Sequence, residues 1–109
     1  MESSHPEQER TLQLIAQRLV RAFSPRRILL YGSRANGTAR PDSDYDLLIV
    51  WRDETPPAPR TVEVRRVLSD LDTPMDIAVV TPVEFERYRT RRMHIVAVAD
   101  REGRVFHAA

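Results

Sequence analysis

The sequence predicts an α/β (α+β) domain, a small mixed β-sheet flanked by helices. Three observations point to it. Helix-spaced apolar stretches alternate with short apolar runs of strand length. Glycine, proline and small polar residues punctuate the boundaries between them. The chain has 109 residues, enough for one core but not for two. In residues 7–23, Leu12, Ile15, Leu19 and Phe23 recur at steps of three and four, which makes one helical stripe. Pro6 suits a first turn and Pro25 ends the element. RILLY at 27–31 reads as a buried strand stopped by Gly32. Residues 33–43 read as a loop, or a short helix with loops. YDLLIVW at 45–51 is a second strand, and TPPAP at 55–59 is a semi-rigid connector. Helical spacing returns over 61–72 through Val64, Val67, Leu68 and Leu71. MDIAVV at 75–80 is a third strand. Thr81 then caps a helix that begins at Pro82 and runs to about Tyr88. A helix over 93–100 and a short strand at 104–107 complete the order.

Composition narrows the chemistry. Hydrophobic residues are 41% and charged residues 30%, a globular balance. The formal net charge of +1 gives no bulk reason to bind nucleic acid or membrane. There is no cysteine, which excludes disulfides, thiol nucleophiles and Cys-based zinc sites. All 17 basic residues are arginine, so neither a Schiff-base lysine nor a P-loop lysine is present. The polar stretch Met1 to Arg10 does not read as a signal peptide. No apolar run approaches the ~20 residues needed to span a bilayer, and a cytoplasmic protein is expected.

The stretch GSRANGTARPDSDYDLLIV, residues 32–50, concentrates the chemistry. Gly32-Ser33 follows a strand directly, where a glycine permits a sharp turn and close approach of a ligand. If Ser33 opens a short helix, its N–H groups and hydroxyl suit an anion such as phosphate. Asp44 and Asp46 stand two apart at the entry of the second strand, so both side chains face one side, about 6.5–7 Å apart at Cα. Tyr45 must face the core. Two carboxylates so placed repel unless a cation lies between them, and they suit one or two Mg²⁺ ions. Asp76, at the start of the third strand, reaches the same place if that strand neighbours the second.

Gly32-Ser33, ten residues, then Asp44-Tyr45-Asp46 reproduces the GS-x10-D-x-D pattern of the DNA polymerase beta-like nucleotidyltransferases. The fuller string, with Arg34, Ala35, Gly37 and Ser43-Asp44, resembles the minimal nucleotidyltransferases. The resemblance implies a polymerase-beta-like nucleotidyltransferase fold. It also implies transfer of AMP from ATP to a hydroxyl with two Mg²⁺ ions. Asp44, Asp46 and Asp76 would hold the metals, with Asp76 also acting as base. Gly32, Ser33 and Arg34 would contact the triphosphate. Minimal members commonly work with a HEPN-domain protein, an all-helical partner that is often an RNase toxin. They act as antitoxins by modifying a toxin tyrosine. The short length fits this branch, and the amphipathic first helix and the run Arg87, Arg89, Arg91 and Arg92 are candidate docking surfaces.

Plainer roles compete at each position. Gly32 is also a good turn residue, Ser33 a good N-cap, and Asp42 a turn residue after Pro41. Arg34 and Arg40 could neutralise phosphate or sit in solvent. His5, His94 and His107 lack metal-ligand spacing, and Tyr31 and Trp51 are core or strand-end aromatics that could also stack on a base. Two rival functions remain open: a subunit that masks a partner by contact alone, and a small-molecule transferase of the aminoglycoside-modifying kind.

Overall fold

The computed structural model describes residues 6–109, so the reading of His5 lies outside the described residues. Helix α1 (Pro6–Phe23) forms on the expected stripe and buries Leu12, Ile15 and Leu19. Glu7 and Glu9 in its first turn and Arg21 in its last complement the helix dipole. Strand β1 (Arg27–Tyr31) and the single turn α2 (Ser33–Asn36) follow. Next come β2 (Tyr45–Val50), α3 (Val62–Val67), β3 (Met75–Val80), α4 (Pro82–Tyr88), α5 (Ile95–Glu102) and β4 (Arg104–Ala108).

The four strands make one mixed sheet in the order β3-β2-β1-β4. β1 runs antiparallel to β2 and β4, and β2 runs parallel to β3. Both faces are covered, which is why the strands read as unbroken apolar runs. Ile28, Leu30, Leu47, Ile49, Ile77 and Val79 pack with α1 and α3. Leu29, Leu48, Val50 and Val80 pack with Phe85 of α4 and with Val96 and Ala99 of α5. At the outer edge of β3, Arg65 donates to the Met75 carbonyl at 3.4 Å and Arg60 to that of Val79 at 3.3 Å.

Two helices depart from their predicted spans. The α-helical part of α3 stops at Val67 instead of reaching residue 72. Beyond it the chain tightens into i→i+3 turns, Leu68 N–H to Arg65 O, Ser69 N–H to Arg66 O and Leu71 N–H to Leu68 O. The Ser69 hydroxyl also donates to the Arg66 carbonyl, and Arg18 holds the Asp70 carboxylate. Such local side-chain bonds compete with continued helix. α5 starts two residues later than its expected start at Met93 and ends two later, because His94 Nδ1 caps Val96 N–H at 3.1 Å and Gly103 closes the far end.

At α4 the capping box is complete: Thr81 Oγ1 accepts from Glu84 N–H at 3.1 Å, and Glu84 Oε1 accepts from Thr81 N–H at 2.9 Å. Glu84 also accepts from Arg60, which holds its carboxyl below the usual carboxylate range. Thr81→Ala should therefore cost about 1 kcal/mol, read as a lower urea midpoint. The Arg60–Glu84 contribution should be present above the ordinary glutamate pKa of about 4.3 and lost as pH falls through the depressed value.

Candidate active site

Register places three side chains in a row. Tyr31 on β1 pairs with Asp46 on β2, and Asp46 pairs with Asp76 on β3. Paired residues share a face, so the three stand together at one end of the sheet, on the side covered by α4 and α5. Asp44 precedes β2 by one residue and Asp46 by two. Tyr45 points to the opposite face and is only 4% exposed.

Among the described residues, the three carboxylates have no counter-charge. Burial, then Asp76, then Asp44 push the Asp46 carboxyl above its ordinary value. Burial, Asp46 and Asp76 likewise raise the Tyr31 phenol, so its hydroxyl stays neutral. Among the described residues, Asp44, Asp46 and Asp76 accept no hydrogen bond and form no ion pair. Elsewhere the arginines find acids readily: Arg18 with Asp70, Arg60 with Glu84, Arg89 with Glu86 and Asp100, Arg104 with Glu9. The donor set is all hard oxygen, which fits Mg²⁺. As they stand, no three His, Cys, Asp or Glu side chains among the described residues close into a cage for one ion. Like charges with nothing between them rest apart. The expected three-carboxylate cage is therefore present as a row and its neighbour, not as a formed ligand set.

Gly32 closes the site from β1. Its backbone at φ 74°, ψ −155° is open essentially to glycine alone. A Cβ there would land on the Asp46 carboxylate. Gly32 itself occupies the N-cap position of α2, so Ser33 is the first helical residue and not the cap. The Ser33 hydroxyl makes no hydrogen bond among the described residues.

Arg34 is committed to the loop that leads to Asp44. Its Nε and Nη2 donate to the Ser43 carbonyl at 3.1 and 3.0 Å, and Nη2 also reaches the carbonyls of Pro41 at 3.1 Å and Arg40 at 3.4 Å. Nη1 donates to Gln8 Oε1 at 3.2 Å, and Gln8 Nε2 returns a bond to the Arg34 carbonyl at 3.1 Å. The guanidinium lies 4.2 Å from the Tyr45 ring centroid. A cavity of about 580 Å³ opens beside this assembly, lined by Gln8, Arg34, Arg40 and Tyr45 but by none of the three aspartates. Gln8 escaped sequence reasoning, because nothing local links it to a residue 26 positions on.

The remaining candidates have plain roles. Asp42 sits in the turn after Pro41. His94 caps α5 and stacks on Tyr88 at 4.3 Å, while His107 Nε2 meets the Pro25 carbonyl at 3.2 Å. Arg89 is ion-paired and Arg91 lies over Tyr88. Trp51 is buried against Phe23.

A family model described as the nucleotidyltransferase domain matches residues 12–105. The chain belongs to this nucleotidyltransferase family. No curated protein matches it as a relative. Among solved structures, the domain resembles a protein from Sulfolobus solfataricus described as a candidate nucleotidyltransferase. That likeness has TM-score 0.64 and 24% identity, and covers 99% of this chain and 90% of the other. It also resembles a chain of a toxin–antitoxin crystallised with AMP-PNP, at TM-score 0.60 and 19% identity, over 90% of this chain and 73% of the other. A chain of a mutant toxin–antitoxin, MntA–HpeT, aligns at TM-score 0.51 and 17% identity, over 93% and 73%. At these identities the likenesses establish the nucleotidyltransferase fold. Among the described residues, no helix is long and apolar enough to cross a membrane.

Proposed function

We propose that this nucleotidyltransferase domain is an Mg²⁺-dependent enzyme that transfers AMP from ATP to a hydroxyl of a partner protein, in the manner of an antitoxin. One observation carries the reading: three carboxylates lie together without a basic partner among the described residues, in a chain of 17 arginines, beside a glycine turn that only glycine fits. Clustered unpaired charge costs folding free energy and persists where function uses it. Asp44, Asp46 and Asp76 would hold the divalent cation. Bound there, Mg²⁺ supplies positive charge against the triphosphate and the developing oxyanion.

The chain's own groups account for the rest. Gly32 gives the phosphate chain room to approach the backbone, and the free Ser33 hydroxyl donates to a phosphate oxygen. Asp76 takes the proton of the acceptor hydroxyl as its oxygen bonds to the α-phosphorus. The bond from the α-phosphorus to the bridging oxygen breaks, and pyrophosphate leaves. The likeness to a toxin–antitoxin crystallised with AMP-PNP supports both an adenine nucleotide and a toxin partner. We take that partner to be a HEPN-type RNase toxin and the acceptor to be a tyrosine, as the resemblance of the Gly32–Val50 stretch implies.

Co-expression with a HEPN-type toxin, followed by intact-mass measurement, tests this. The partner should gain the mass of one or more AMP units, and the double variant Asp44→Ala, Asp46→Ala should abolish the gain. Full toxin neutralisation by that double variant would replace catalysis with masking by contact.

A further inference from the structure

We propose that Arg34 is a positioning residue, which fixes the loop carrying Asp44 by clamping the carbonyls of Arg40, Pro41 and Ser43 to the side chain of Gln8, and that it does not bind the triphosphate. This rests on the nucleotidyl-transfer reading of the aspartates and adds a role that the reading does not contain.

The argument is one of donor capacity. A guanidinium has five N–H donors in a planar fork. Here Nε and Nη2 are spent on the loop carbonyls of Arg40, Pro41 and Ser43, and one donor of Nη1 is spent on Gln8. Gln8 is buried, at 9% exposure, and bonds both the backbone and the side chain of Arg34. The fork is therefore anchored to the first turn of α1. The Tyr45 ring, itself buried on the far face of β2, closes the other side of the guanidinium at 4.2 Å. The Ser43 carbonyl that takes two of the bonds belongs to the residue before Asp44. Tyr45, under the guanidinium, lies between Asp44 and Asp46. Arg34 thus grips the chain immediately before and between the two carboxylates, from the side of the sheet opposite to the row they join. An arginine so engaged cannot turn to a triphosphate without releasing the loop. Lysine carries the same charge but cannot span three carbonyls and a glutamine oxygen at once.

Three variants, Arg34→Lys, Arg34→Ala and Gln8→Ala, separate the roles. The first measurement is amide hydrogen exchange over residues 38–46, which does not depend on activity. The clamp predicts faster exchange there in both Arg34 variants and a smaller rise in Gln8→Ala, with the α5 and β4 amides unchanged. The second is Mn²⁺ binding by loss of the free-ion resonance, which should weaken by about tenfold or more in Arg34→Lys, the usual cost of losing a group that orients a metal ligand. The third is kinetic: kcat should fall while the KM for ATP stays within about twofold, and lysine should not rescue. A raised KM with kcat kept, rescue by lysine, and unchanged exchange would make Arg34 a phosphate ligand and overturn the clamp. If the unaltered protein binds neither Mn²⁺ nor ATP, the nucleotidyl-transfer reading fails. The exchange data then still decide whether Arg34 holds the loop.

Discussion

Alanine at Gly32 should destabilise the domain by about 1–3 kcal/mol and cripple metal binding at the same time. The two losses have one cause. At φ 74°, ψ −155° an L-residue is strained whatever surrounds it, and here its Cβ would also occupy the place of the Asp46 carboxylate. Relief comes either from rotating Asp46 away from Asp76 or from moving the end of β1, and each dismantles the row of Tyr31, Asp46 and Asp76. Urea unfolding and Mn²⁺ titration of the same sample check this. A variant with normal stability and normal metal affinity would show that the close approach of Gly32 to Asp46 has no role.

Asp46→Asn should move activity and stability in opposite directions. Nucleotidyl transfer should fall by more than about a hundredfold, since even outer groups around metal sites cost 10–100-fold. The metal-free protein should nonetheless become more stable, read as a higher thermal midpoint at neutral pH. Burial, Asp76 and Asp44 raise the Asp46 carboxyl, so its ionised form is disfavoured in the fold relative to the unfolded chain. That penalty is fully present above the raised pKa and fades as pH falls toward the ordinary aspartate value of about 3.9. Thermal midpoints of the two proteins should therefore differ at neutral pH and converge in acid. A variant less stable than the parent at pH 7 would mean that Asp46 is a structural residue.

The parts of the fold legible in the sequence were those written in one stretch of chain. ILLY, LLIV and IAVV announce strands because both sheet faces are buried and successive positions are apolar. Asp44 and Asp46 could be read as a pair, because strand alternation alone puts them on one side and Tyr45 on the other. Asp76 needed a condition, that β3 lie beside β2, and the parallel pairing meets it with Asp46 opposite Asp76. What stayed hidden depends on long-range contact. The end of α3 is set by Arg18 reaching Asp70 and by Ser69 bonding back to Arg66, choices that apolar spacing does not record. Tyr31 joins the carboxylate row only through its register with Asp46. Arg34 carried charge next to the glycine turn, and that charge and the family resemblance both suggested phosphate. Its fork, Gln8 and the three carbonyls come together only when α1 lies beside the loop.

The two guanidinia on the outer carbonyls of β3 have a consequence for solubility. An exposed strand edge invites another chain to continue the sheet, the first step of fibril-like aggregation. On the β3 flank, Arg60 and Arg65 already hold two outward carbonyls, so an intruding strand would have to displace both charged groups to pair with Met75 and Val79. Arginine thus acts as a gatekeeper along the parallel border of this sheet.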